Sequence, residues 1–474
     1  MKHTLHTKKI FSIILSLILI ISVFSASLTS FAEPDPEHVP ASGYDENGVP
    51  YINSTSAIVI NADTGQILYE KDAYSVHYPA STTKIMTTLV ALENGNPEDV
   101  ITMQEDAVYG IEYDSSSISL QVGEQITLEQ ALYAVMLASA NEAAWGVADH
   151  IGGNLSNYTD MMNQRASEIG CKNTHFTNAN GLHDDNHYST AYDLALITRE
   201  ALKNDEFRKI TSTLQYTIPP TNITQEERIL NQNNKMINPN YPEFYYEYCT
   251  GGKTGYTQKA GGTFVAWAEK DGVELICVTL ETTSNKENFY DTTELFKYCF
   301  NAYYGINPVE GFTFSEDDIT RAEALLNEYY GKGENLLPLS LSTENGYMIS
   351  VPAGQEKTDI TVSFEPSIYG IENNIIGELV VQDGSTVYYK LPVTFDGYLN
   401  SEDDEAVEAA YASGVLQRPP KEKSSPLGRI LLITFLIIII ALAILFYFRL
   451  QYIRKKREQY KRRRDRAKRR NQSF

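Results

Sequence analysis

The chain has 474 residues, 42% of them hydrophobic, which is enough for two or three domains with buried cores. Its formal net charge is −22, but residues 1–32 carry +3 and residues 449–474 carry +11, leaving −36 on residues 33–448. So acidic a body excludes nucleic acid as its partner. The four cysteines, Cys171, Cys249, Cys277 and Cys299, have no metal-ligand spacing, and the sequence assigns no disulfide among them.

Residues 1–32 read as a secretory signal. Lys8-Lys9 closes a basic stretch, Ile10 to Val23 is apolar, and Ser30-Phe31-Ala32 is a small-x-small cleavage site. Residues 33–52 are polar, with Pro34, Pro36 and Pro40, and read as a linker. Ser56–Ile60 and Gln66–Tyr69 flank Asp63-Thr64-Gly65, a hairpin signal. In Tyr78-Pro79-Ala80-Ser81-Thr82-Thr83-Lys84, Pro79 suits a helix start. Ile85, Met86, Leu89 and Leu92 then recur at helical spacing. A helix beginning near Ser81 puts Ser81 and Lys84 on one face, at i and i+3. A serine needs a base to become a nucleophile, and a desolvated lysine one turn away can serve.

Asp114 to Gly123 is a serine-rich loop, and Thr127-Leu128-Glu129-Gln130 is a capping box opening the next helix. That helix stops near Ser139-Ala140-Asn141, and another resumes at Glu142. Thr190–Leu202 is amphipathic, whereas Asn222–Tyr248 is polar and irregular. Lys253-Thr254-Gly255 opens a β region. Its strands Thr263–Glu269 and Val273–Glu281 are joined by Lys270-Asp271-Gly272, and Glu287–Tyr303 closes the domain as a helix. From Phe312 to Leu399 one helical stretch precedes short strands at Tyr347–Val351, Ile360–Phe364, Gly377–Gln382 and Ser385–Val393, which predicts a small, mostly β sandwich. Residues 400–429 read as a tether. Ile430–Phe448 is apolar throughout and, at 1.5 Å per residue, about 28 Å long, a membrane span. The basic tail 449–474 puts the C-terminus in the cytoplasm and can touch anionic headgroups.

Ser81-x-x-Lys84, Ser139-x-Asn141 and Lys253-Thr254-Gly255 are each weak alone, but in this order and on these elements they match the three-motif set of penicillin-interacting serine enzymes. Gly181-Leu182-His183 through Ala195, and Lys253 through Gly261, resemble the low-molecular-mass D-alanyl-D-alanine carboxypeptidases over residues 53–303. The resemblance reaches more loosely to about 398. It implies an α/β (α+β) β-lactamase/transpeptidase-like catalytic domain at 53–303, with an antiparallel sheet, a helical cluster and the active site between them. The β-rich domain at 312–399 follows, then the single C-terminal transmembrane helix.

The resemblance also implies roles. Lys84 takes the proton of Ser81, which attacks the penultimate D-alanine carbonyl of a peptidoglycan stem peptide. Ser139 relays a proton to the leaving D-alanine, and Asn141 binds the substrate amide. Lys253 and Thr254 of the Lys253-Thr254-Gly255 motif hold the terminal carboxylate, and the N–H groups of Ser81 and Tyr256 form the oxyanion hole. β-Lactams acylate Ser81, and no cofactor is implied. The family usually has Gly between the motif-two Ser and Asn. Here Ala140 adds a methyl, expected to narrow the cleft or slow the reaction. His183 and His187 are spaced i, i+4, but Gly181 and two aspartates favour a loop over a zinc-binding helix.

Two rivals share the motifs. A class A β-lactamase carries E-x-x-L-N between motifs two and three; here Glu323-Ala324-Leu325-Leu326-Asn327 follows motif three and reads as coincidence. A membrane-bound β-lactam sensor needs a signalling domain, for which the tail has no room.

Overall fold

The computed structural model describes residues 43–330, 339–354 and 359–397, with isolated positions between 447 and 456. The signal segment 1–32, the tether 400–429, and all but those isolated positions of the span 430–448 and the tail lie outside the described residues. Among the described residues no helix is long and apolar enough to cross a membrane.

The elements follow in chain order. β1 (Ser56–Asn61) and β2 (Ile67–Lys71) form the expected hairpin, and a 3-10 turn over Ala80–Thr83 leads into α1 (Lys84–Asn94). Next come β3 (Val100–Thr102), α2 (Glu105–Tyr109), β4 (Gln125–Thr127), α3 (Leu128–Leu137), α4 (Asn141–Gly152) and α5 (Leu155–Ile169). After these come α6 (Ala191–Ala201), α7 (Asp205–Ser212), β5 (Gln215–Ile218) and β6 (Arg228–Asn231). The third motif lies on β7 (Cys249–Thr257), which β8 (Gly261–Lys270), β9 (Val273–Thr282) and α8 (Asn285–Ala302) follow. The remainder is β10 (Tyr303–Ile306), α9 (Glu316–Tyr330), β11 (Ser340–Thr343), β12 (Ile349–Pro352), β13 (Ile360–Pro366), β14 (Ile375–Asp383) and β15 (Thr386–Asp396).

The main sheet runs β2-β1-β9-β8-β7, with antiparallel pairing throughout. Strand side chains alternate faces, so each strand feeds two cores. Ile58, Ile60, Val265, Trp267, Ile276 and Val278 join the helical core with Leu89, Leu132 and Val147. Ala57, Val59, Phe264, Ala266, Leu275 and Cys277 face Phe289, Leu295, Phe296 and Cys299 of α8. Two covered faces explain why β1 is buried at every residue.

α1 is likewise buried from Lys84 through Ala91. A helix with no solvated face must satisfy its polar groups internally. Thr87 does so by donating to the Ala179 carbonyl at 2.6 Å, while its own carbonyl accepts from Tyr158 Oη at 2.6 Å. The Thr127 capping box opens α3 as expected. The polar stretch 222–248 is more regular than its composition suggests, because β6 pairs with β5.

Two compact units emerge. The first takes in the described residues up to Thr313 with those of 343–365 and 378–392; the second takes in the described residues of 314–342, 366–377 and those from Val393 on. β12 pairs with β10, and a four-stranded sheet runs β11-β15-β14-β13.

Candidate active site

The structure places Ser81 in a tight turn just ahead of the helix that was expected to begin near it. The Ala80–Thr83 turn is 3-10 and α1 begins at Lys84. Three residues per turn still stack i on i+3, so Lys84 Nζ lies 3.0 Å from Ser81 Oγ. The turn is strained: Ala80 has φ +48°, a left-handed conformation that L-residues avoid. The same holds for Ser139 at φ +60°, where the chain breaks between α3 and α4 and aims motif two back at motif one.

Lys84 is wholly buried, and its Nζ has three oxygens in reach: Asn141 Oδ1 at 2.7 Å, the Asn180 carbonyl at 2.5 Å and Ser81 Oγ. Burial holds its pKa far below the usual lysine range, the neighbouring Lys253 pushes it lower, and Glu142 pulls the other way. A neutral amine has two protons and one lone pair. The two oxygens that can only accept, Asn141 Oδ1 and Asn180 O, take the protons. The lone pair is left for the hydroxyl of Ser81.

Lys253, also buried, donates to Ser139 Oγ at 3.0 Å and to the Thr254 carbonyl at 2.8 Å. Desolvation lowers its pKa to about 7. Close approach of β7 to the Ser81 turn demands glycine at 255: a Cβ there would lie 2.7 Å from the Ser81 nitrogen. Thr263 on β8 ties the turn down by donating to the Pro79 carbonyl at 2.9 Å. Ser81, Ser139, Asn141, Thr254, Gly255 and Tyr256 line one cleft of about 930 Å³, with Lys84 and Lys253 bonded directly behind it. All eight residues expected from sequence therefore meet at one place.

Four others were not anticipated. Asn180 contributes a backbone carbonyl, which no motif reveals. Gly181, at φ +81°, packs against the Ala80 carbonyl where any Cβ would collide. His187 is buried under the turn. It accepts from Thr177 N at Nδ1 over 3.1 Å, so Nε2 carries the proton and donates to Thr83 Oγ1 at 2.8 Å. Burial lowers its pKa to about 3, which keeps it neutral. Glu142 follows Asn141 and is 1% exposed. His183 and His187 stand on a loop, as expected, and His183 faces Asp185 at 3.3 Å.

One expectation is corrected. Ala140 is fully buried and packs within the helical core, and it is not among the residues lining the cleft. Its methyl faces hydrocarbon, so it does not narrow the site.

The D-alanyl-D-alanine carboxypeptidase family profile matches residues 45–284. Among curated relatives, D-alanyl-D-alanine carboxypeptidase DacF of Bacillus subtilis is 34% identical over 254 residues, 52% of this chain and 62% of its own length. The D-alanyl-D-alanine carboxypeptidase of a Streptomyces species is 32% identical over 53% of this chain and 88% of its own. DacA of Escherichia coli is 27% identical over 72% of this chain and 82% of its own. Among solved structures, a point mutant of a Streptomyces DD-transpeptidase aligns with TM-score 0.50 and 30% identity, over 53% of this chain and 99% of that one.

Proposed function

This chain belongs to the D-alanyl-D-alanine carboxypeptidase family, serine hydrolases that act on D-Ala-D-Ala ends and bind penicillin, and we propose that Ser81 is its nucleophile and Lys84 the general base. The observation that carries the assignment is the three-way coordination of Lys84 Nζ, which leaves its lone pair for the Ser81 proton.

The steps follow from the residues. Ser81 Oγ attacks the carbonyl of the penultimate D-alanine while its proton passes to Lys84. The N–H groups of Ser81 and Tyr256 hold the developing oxyanion. Ser139, bonded to Lys253, relays the proton held by Lys84 to the amine of the departing D-alanine, which leaves Lys84 neutral again. Asn141 orients the substrate amide through its Nδ2, since Oδ1 is occupied by Lys84. Lys253 and Thr254 receive the terminal carboxylate. Burial alone lowers the pKa of Lys253 to about 7, and the negative partner raises it again and favours the charged form. Water attacks the acyl carbonyl, neutral Lys84 takes its proton and passes it to Ser81 Oγ as the ester bond breaks, and the shortened peptide leaves as the acid.

The test uses full-length protein with a fluorescent penicillin and a D-Ala-D-Ala-terminated peptide. Label should map to Ser81, and Ser81→Ala should abolish it. Lys84→Ala should lower D-alanine release by about 10²–10⁴-fold. Fast penicillin hydrolysis without D-alanine release would indicate a β-lactamase, and a stable acyl-enzyme without peptide turnover a sensor.

The apolar stretch 430–448 and its basic tail support single-span anchoring, with the catalytic region outside the cell membrane and the C-terminus in the cytoplasm. Protease added to intact cells should then remove the penicillin-labelled region; its protection would reverse the topology.

A further inference from the structure

One wall of the cleft is formed by Glu112 and, from the serine-rich loop, Asp114, Ser115 and Ser116. Ile118 and Leu120 anchor the loop in the helical core, and its polar part is tied to motif two by two consecutive residues. Asn141 N donates to the Ser116 carbonyl at 2.8 Å. Glu142 Oε1 accepts from Ser117 Oγ and Ile118 N, each at 2.7 Å, and from Leu120 N at 3.4 Å. Ser117 Oγ in turn accepts from Ser119 N at 2.9 Å. One carboxylate oxygen thus organises four residues of the wall.

The second oxygen is the anomaly. Glu142 Oε2 is buried without a hydrogen-bond partner among the described residues. If Glu142 served only to hold the loop, an amide would do so without a buried orphan oxygen carrying charge. The charge has a counterpart nearby. Asn141 takes one proton of Lys84, and the field of Glu142 acts on that same ammonium.

We propose that Glu142 is a positioning residue that couples the 116–120 wall to the general-base lysine. One oxygen holds the wall, and the carboxylate's charge offsets that of Lys253 at Lys84. The inference rests on the reading of Lys84 as base. The charged and titratable groups facing Lys84 are Glu142 from α4, Lys253 from β7 and His187 from beneath the turn, and His187 stays neutral above about pH 3. Glu112 and Asp114 stand on the solvent side of the cleft. Without Glu142, Lys84 and Lys253 repel one another unopposed, and the proton that Lys84 accepts from Ser81 is less well held. With it, the lysine remains basic enough to take that proton.

The test is the rate of Ser81 acylation by penicillin from pH 5 to 9 in the full-length chain. Acylation requires neutral Lys84, so its rate rises through the lysine's pKa. Glu142 opposes the lowering of that pKa, so Glu142→Gln should move the acid limb to lower pH, by about half a unit or more, and should slow acylation on the plateau. Ser117→Ala removes two wall hydrogen bonds, the one given to Glu142 and the one taken from Ser119, and keeps the charge. It should raise KM for a D-Ala-D-Ala peptide and leave the acid limb in place. An unmoved limb in Glu142→Gln overturns the proposal, as does an equal shift in Ser117→Ala. If Glu142→Gln does not fold, Glu142→Asp carries the test: charge kept and reach shortened, it should raise KM with the limb unmoved, and a moved limb overturns the proposal. Wild-type protein that penicillin fails to label at Ser81 would bring down the nucleophile assignment itself, a separate and recognisable failure.

Discussion

The stretch around Ser81 and strand β15 solve opposite problems. In β15, Tyr389, Leu391, Val393 and Phe395 are buried while Lys390, Pro392, Thr394 and Asp396, each following one of them, are exposed, which is the plain alternation of a strand with one wet face. Around Ser81 that logic is inverted. Thr82, Thr83, Lys84, Thr87 and Thr88 are all 0% exposed, and Lys253 is 1% exposed. Ala80 and Ser139 hold left-handed backbone that nothing local favours. A folding sequence avoids such choices unless something else requires them. The difference teaches where to look: β15 obeys the rules of stability, and the cleft departs from several at once, holding Asn141 Oδ1 and the Asn180 carbonyl against Lys84 and Lys253 against Ser139.

The comparison can be broken by separating rate from stability. Gly255→Ala puts a methyl against the Ser81 nitrogen, so penicillin acylation should fall about 10–100-fold while the protein stays folded. Leu391→Ala should do the reverse: a loss of about 2–5 kcal/mol in unfolding free energy, with the acylation rate unchanged in the folded protein. Acylation kinetics and thermal unfolding on both variants decide the matter. An unimpaired Gly255→Ala, or a slow but stable Leu391→Ala, would erase the distinction drawn here.

The same contrast explains what was legible in the sequence. The β8–β9 hairpin announced itself by alternation around Asp271-Gly272, and α3 by its capping box, because both signals are local. The three motifs could be read because their chemistry resides in side chains at fixed short spacings. Asn180 could not, because it acts through a carbonyl that every residue possesses. The left-handed turns at Ala80 and Ser139 were equally hidden: neither residue type signals positive φ, and only the surrounding packing imposes it. Glu142 looked like an ordinary first-turn acid, favourable at a helix N-terminus. Its burial against residues 117–120 depends on contacts more than twenty positions away. The ribbons β3–β4 and β5–β6 are too short to carry a periodic signal, with 3 and 4 residues per strand.

Ala140 offers the smallest effect and the finest test of the comparison. It stands between strained Ser139 and Asn141, both of which line the cleft, so proximity in sequence assigns it there too. Its packing assigns it to the hydrophobic core, where it is 0% exposed. Its N–H donates to the Ala134 carbonyl at 3.0 Å and its carbonyl accepts from Ala144 N at 3.2 Å, so it splices α3 to α4. Its backbone, at φ −59° and ψ 118°, is one that alanine adopts without strain. Glycine there would free the unfolded chain and remove a buried methyl. Ala140→Gly should therefore cost about 0.5–1.5 kcal/mol of stability and leave both D-alanine release and penicillin acylation within twofold, roughly, of wild type. A variant that instead turned over faster would show that the methyl does reach the reacting groups, and that the boundary between core and cleft lies one residue nearer the core than Ala140's burial indicates.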